Sequence, residues 1–111
     1  MTSSELTSFI LTQSRSLPYA NRLRLWRNNT GRRGCVSFGE KGSPDIIGFN
    51  KLTGAFHGIE LKRKTEKQST EQREFQEQLN ATQYGGYWLV RDAESARQAL
   101  DHIAGIDSIP W

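Results

Sequence analysis

The chain has 111 residues, enough for one domain with a modest core, and an apolar share of 35% keeps that core small. A formal charge of +3 favours anionic partners, nucleic acid first, without being diagnostic. The single cysteine, Cys35, excludes an intrachain disulfide and a multi-cysteine zinc cage, and no apolar run is long enough to span a bilayer.

The opening residues hold Glu5 and only a short apolar run, "FIL", unlike a secretory leader, so an intracellular, reducing setting is expected. "SSELTSFILTQSRSL" predicts a first helix, capped by Ser3 or Ser4, with Leu6, Phe9, Ile10 and Leu17 near helical spacing. Glu5 falls in its first turn, where negative charge is favourable in its own right. Pro18 is expected to end the helix. "NRLRLWRNNTG" alternates Leu23 and Leu25 with Arg22, Arg24 and Trp26, as a strand does. "NNTGRRG" reads as a turn or loop and "CVSF" as a short strand. After the loop "GEKGSPD", "DIIGF" predicts a buried strand, "NKLTG" a hairpin connection and "AFHGIELK" the partner strand.

"KTEKQS" is a polar link to a helix over "STEQREFQEQLNATQ". Ser69 is its N-cap and Gln72, three residues on, completes a capping box. Phe75 and Leu79 form a narrow apolar stripe, and "YGG" is expected to stop the helix. "YWLVR" predicts a strand. Asp92 caps a last helix, "AESARQALDHI", which buries Ala96, Ala99, Leu100 and Ile103. The tail "AGIDSIPW" has no regular pattern. The order predicts a single α/β (α+β) domain: helix, three or so strands, helix, strand, helix, forming a mixed sheet flanked by helices.

The chemistry concentrates in "SPD" and "GIELKRK". Alternation puts Glu60 and Lys62 on one strand face and Leu61 on the other. If "IIGF" pairs with "FHGIELK", Asp45 meets Glu60 near one sheet end. Two carboxylates so close repel, and a divalent cation would relieve them. Mg²⁺ suits such a pair because it takes one or two protein carboxylates and keeps water and phosphate oxygens as its other ligands. A cation there can acidify a water and polarise a phosphodiester, while Lys62 orients that water or neutralises the phosphate. The Leu61 carbonyl is a candidate further oxygen ligand. By itself this pattern is loose, since an exposed ion pair produces it as easily.

Five ordered segments narrow the reading: "SELTSFI", "LWRNNTG", "GSPDIIGF", "GIELKR" and "STEQREFQEQL". Together they resemble the small stand-alone members of the VRR-NUC (virus-type replication-repair nuclease) family, within the PD-(D/E)xK nuclease superfamily. The resemblance runs from Glu5 to about Ile103. It implies a restriction-endonuclease-like core and a Mg²⁺- or Mn²⁺-dependent DNA endonuclease. It implies metal ligands at Asp45 and Glu60, a catalytic Lys62, an acidic helical residue at Glu5 and a site-side Gln72. It further implies a homodimer that cuts branched DNA such as four-way junctions, in a bacterial or phage-infected cell.

Each residue also has a plainer reading. Asp45 could cap a turn, Glu5 could serve only the helix end, and Gln72 only the capping box. Arg27, Arg32 and Arg33 could be a solvated loop, yet guanidinium groups suit phosphate contacts. Arg63, Lys64 and Lys67 follow the acidic strand and could track a DNA backbone. Trp26, Tyr84, Tyr87 and Trp88 read as core or interface side chains rather than base-stacking platforms. His57 falls opposite Glu60 by alternation, and neither it nor His102 has a partner at metal spacing. Two other classes compete with a nuclease: a nuclease-fold binding protein without catalysis, and a small interaction module whose strand-end charges are decoration.

Overall fold

Leu23, Leu25, Ile46, Ile59 and Val90 come from four strands and are all buried in one cluster. They lie on one face because side chains alternate along each strand. A computed structural model gives the architecture. It describes residues 1–29, 31–33, 36–63 and 65–106, and for 31–38 only the backbone. Its elements are α1 (Ser3–Ser14), β1 (Leu23–Arg27), β2 (Gly31–Arg33), β3 (Val36–Phe38), β4 (Ile46–Asn50), β5 (Phe56–Leu61), α2 (Thr70–Asn80), β6 (Gly86–Val90) and α3 (Ala93–Ala104). Cys35, Lys64 and the last five residues lie outside the described set.

The fold is a compact mixed α+β domain. Its main sheet has the order β1-β4-β5-β6; β1, β4 and β5 run antiparallel, and β6 lies parallel to β5 across the α2 connection. The β4–β5 hairpin turns at Asn50, whose Oδ1 accepts from the amides of Leu52 and Thr53 at 2.8 and 3.0 Å. Its Nδ2 donates to the Ile103 carbonyl at 2.9 Å, tying the turn to α3. Leu6 and Ile10 of α1 and Ala96, Ala99, Leu100 and Ile103 of α3 cover the buried face. The opposite face receives α2, which packs against β6 through Phe75 and Tyr87. Among the described residues no helix is long and apolar enough to cross a membrane.

Local departures from expectation have simple causes. Thr2, not Ser3 or Ser4, caps α1: its hydroxyl accepts from Glu5 N at 3.1 Å, and Glu5 Oε1 accepts from Thr2 N at 3.0 Å. The helix ends at Ser14, short of Pro18, and leaves Leu17 74% exposed rather than on the apolar stripe. α2 stops at Asn80, before "YGG", where Thr82 returns a hydroxyl to the Leu79 carbonyl at 2.6 Å. Gly31–Arg33, expected as loop, is a strand that pairs with Val36–Phe38 in a separate two-stranded sheet. Hairpin closure supplies backbone partners that the sequence pattern did not advertise. The caps at Ser69 and Asp92 and the α3 core residues fall where expected.

Candidate functional site

The sheet register decides what meets at the open end of β4 and β5. Ile46 pairs with Ile59, so the next positions outward are Asp45 and Glu60. The Asp45 amide donates to Glu60 Oε2 at 3.2 Å, and Asp45 Oδ2 accepts from the Leu61 amide at 2.8 Å. Each carboxylate is thus held by the other residue's strand.

Three neighbouring contacts fix Asp45. Asn28 N donates to the Asp45 carbonyl at 2.8 Å, extending the β1–β4 ladder by a rung. Asn28 Nδ2 donates to Ser43 Oγ at 2.8 Å and to the Pro44 carbonyl at 2.9 Å. Pro44 lies over Gly58, where any Cβ would overlap the proline ring. The glycine of "GIELK" is therefore the clearance that lets "PD" approach β5. Gly42, at φ +84°, lies against the Glu71 backbone, and Lys41 Nζ stands 3.3 Å from Glu71 Oε1. These contacts dock the loop before β4 on the first turn of α2.

Gln72 joins that turn to the acids. Its Oε1 accepts from Ser69 N at 2.9 Å, closing the capping box, while its Nε2 donates to Glu60 Oε1. The two amide atoms serve two purposes, so the cap and the site contact coexist.

Glu60 is 3% exposed. Burial first, then the charge and hydrogen bonding of Asp45, push its carboxyl up to about 8; Lys62 and the Asp45 amide oppose the shift. Lys62 is half-buried, and its amide donates to the Val90 carbonyl at 3.0 Å, continuing the β5–β6 pairing. Leu61, the expected carbonyl ligand, follows Glu60 directly and is held through its amide by Asp45.

Two further polar side chains lie beside this pair, Gln68 and Tyr87, the latter expected as core or interface. Tyr87 is 4% exposed, and its hydroxyl is pushed up to about 12 by burial first and then by the charge of Glu60, with Asp45 adding to it. Gln68 lies near enough to oppose the shift, yet neither the Tyr87 hydroxyl nor Gln68 Nε2 reaches a hydrogen-bond partner among the described residues. The β5–β6 register puts Tyr87 beside Gly58, on the Glu60 face.

Other expected residues are placed elsewhere. The Glu5 carboxyl is exposed in the α1 capping box, and its pKa is lowered chiefly by the Thr2 amide. Among the described residues no group of three or more His, Cys, Asp or Glu side chains could hold a metal, so Glu5 does not join Asp45 and Glu60 in such a group. Arg63 is exposed and turned locally, with its amide donating to Glu66 Oε1 at 3.0 Å. Lys67 is exposed, and Arg27 is exposed at the end of β1. The Arg32 and Arg33 side chains and all of Lys64 lie outside the described residues. His57 is buried on the far face, where its Nδ1 accepts from Trp88 Nε1 at 3.1 Å. Trp26 and Tyr84, at 42% and 64% exposed, are not core residues.

The donor set fits a hard cation. Two carboxylates converge, and a Mg²⁺-type ion would complete its shell from water and phosphate. No family model, curated protein or solved structure matches the chain.

Proposed function

We propose that the protein is a metal-dependent DNA endonuclease with a restriction-endonuclease-like core of the VRR-NUC type, acting on branched DNA as a homodimer. The observation that carries this reading is the convergence of Asp45 and Glu60, cross-held by backbone amides, with the Lys62 charge beside them. A decorative surface ion pair would not bury Glu60 against a second carboxylate, because unpaired burial of like charge is costly.

Asp45 and Glu60 would hold Mg²⁺ or Mn²⁺, with the Leu61 carbonyl as a further oxygen donor. When bound, the ion supplies Lewis-acid charge relief to the phosphodiester. Lys62 places positive charge beside the attacked phosphate, and the water that adds to phosphorus replaces the departing sugar oxygen, which leaves with a proton. Gln72 keeps Glu60 turned toward the site by occupying one of its oxygens. Arg27, Arg32, Arg33, Arg63, Lys64 and Lys67 would meet backbone phosphates. Paired incision of a four-way junction requires two centres, hence two copies of the chain.

The test uses labelled four-way junction, flap and linear duplex with Mg²⁺, Mn²⁺ or chelator. Cutting should require metal and favour the junction, and Asp45→Ala or Glu60→Ala should abolish cutting while junction binding persists. Cleavage that continues in chelator would sink the metal mechanism. Junction binding without cleavage under every metal condition would leave a nuclease-fold binding protein.

A further inference from the structure

The face that carries Glu60 does not end at the acids. Successive cross-strand rows on it follow from the register. The outermost is Asp45 with Glu60. The next is Trp26, Ile47, Gly58 and Tyr87, and the one after is Arg24, Phe49 and Phe56. Rows two residues apart are separated by about 7 Å, so the Phe49–Phe56 row lies roughly 13 Å from the acids.

α2 packs on the β6 side of this face. Away from it, Trp26 of β1, Phe49 of β4 and Phe56 at the start of β5 are 42%, 36% and 40% exposed. Trp26 and Phe49 meet edge to face, with ring centroids 6.2 Å apart. Arg24 is exposed in register with Phe49. Three aromatic side chains left open beside an arginine are not the expected finish of a solvated sheet face.

Charge selects the occupant. β1 reads LRLWR and β4 IIGFN, so neither strand contributes a carboxylate, and the one acid of β5, Glu60, lies roughly 13 Å along the face from Phe56. A second copy docked with the Phe49 row on the two-fold axis would set Arg24 against the same acid-free row of its partner and leave Asp45 and Glu60 of each copy out of its reach. A polyanion with flat apolar faces fits both features. Bases stack on aromatic rings, and phosphates meet arginine.

We propose that Trp26, Phe49 and Phe56, with Arg24, form a stacking shelf for unpaired nucleotides of a DNA strand that leads to the Asp45–Glu60 site. The inference rests on the nuclease reading for its direction along the strand. Its binding surface can be tested without cleavage. The shelf would favour DNA that carries unpaired strands, such as a flap, because paired bases in a duplex or in the arms of a four-way junction are already stacked and cannot use it.

The test is oligothymidylate binding in chelator, read by fluorescence anisotropy of a labelled oligonucleotide, with labelled duplex in parallel. Trp26→Ala and Phe49→Ala should each weaken oligothymidylate binding roughly 5- to 150-fold, the effect of losing one stacked base, and leave duplex binding nearly unchanged. Arg24→Gln should reduce the dependence of oligothymidylate affinity on salt. Both aromatic positions are exposed, and a melting curve checks that each variant is folded. Wild-type affinity for oligothymidylate in the aromatic variants would overturn the shelf. So would a dimer in light scattering that dissociates in Trp26→Ala, because that result makes the patch a contact between copies. If the variants lose oligothymidylate binding but the wild type cuts no DNA with any metal, the shelf survives and the nuclease reading falls.

Discussion

Gln72 donates through Nε2 to Glu60 while its Oε1 closes the α2 capping box with Ser69. One side chain therefore transmits the placement of a helix start to a buried carboxyl. Gln72→Glu separates the two roles, because a carboxylate accepts from Ser69 but cannot donate to Glu60. Gln72→Ala should lose about 1 kcal/mol of stability through the cap and also lose cleavage. Gln72→Glu should retain the cap but lose cleavage at least as severely. Thermal melts alongside junction-cutting rates check both, and full activity in Gln72→Glu would remove the amide from the mechanism.

Glu60 makes stability depend on pH in an unusual direction. Its folded pKa, about 8, lies above the ordinary value of 4.5. The folded state holds the proton more tightly, so this contribution is complete below about 4.5 and is lost as pH rises toward 8. The maximum slope is about 1.4 kcal/mol per pH unit for one proton. His57, lowered by burial, acts oppositely, losing its contribution as pH falls below its ordinary 6.5. Comparison of wild type with Glu60→Gln in chelator isolates the first effect. The variant should gain on wild type between about pH 5 and pH 8; parallel curves would mean that Glu60 ionises freely.

A cation at Glu60 must displace that proton. Thermal stabilisation by Mn²⁺ should therefore grow from about pH 6 to pH 9 and be absent in Asp45→Asn. A shift independent of pH, or one that survives in Asp45→Asn, would place the ion elsewhere.

The Tyr87 hydroxyl is buried beside the carboxylates and has no hydrogen-bond partner among the described residues. Tyr87→Phe removes an unpaired polar group and keeps the ring against Phe75, so stability should hold or rise slightly. If the hydroxyl helps to orient Glu60 once ligands arrive, cleavage should fall about tenfold in kcat with little change in KM. Unchanged kcat would assign Tyr87 to packing alone.

Gly58→Ala is the sharpest structural probe. The added methyl meets Pro44 and must displace the loop that ends in Asp45. A loss of about 1–3 kcal/mol in stability, accompanied by loss of Mn²⁺ stabilisation, is expected from overpacking at this contact. Retained metal response would show that the Pro44 approach is not needed.

The sequence exposed the parts that local chemistry determines. Alternation located β1, an apolar run followed by a hairpin signal located β4 and β5, and Ser69 with Gln72 marked a helix start before any tertiary contact was known. The approach of Asp45 to Glu60 followed once a hairpin was assumed, because pairing fixes the opposite positions. Thr2 was equally legible as a cap, since Thr2 and Glu5 have capping-box spacing, but two serines beside it offered the same chemistry. Trp26, expected as core or interface, falls with Arg22 and Arg24 on the face opposite Leu23 and Leu25, so the alternation itself already pointed away from the core. Which half of a face α2 covers depends on the crossover from β5 to β6, and residue types do not encode that locally. Tyr87, expected as core or interface, is buried as expected; only its place beside Glu60 depended on that crossover.

The tight reversal at Asn50 lies at the far end of the hairpin from the acids, yet it meters them. Its Asn50 side-chain bonds and Gly54 at φ +75° fix the count of residues between the strands. A slip of one residue would turn one strand's outward side chains toward the core, separating Asp45 from Glu60 without touching either. The five residues Lys51–Ala55 therefore act as a ruler, and any change in their number is a change to the Asp45–Glu60 pairing.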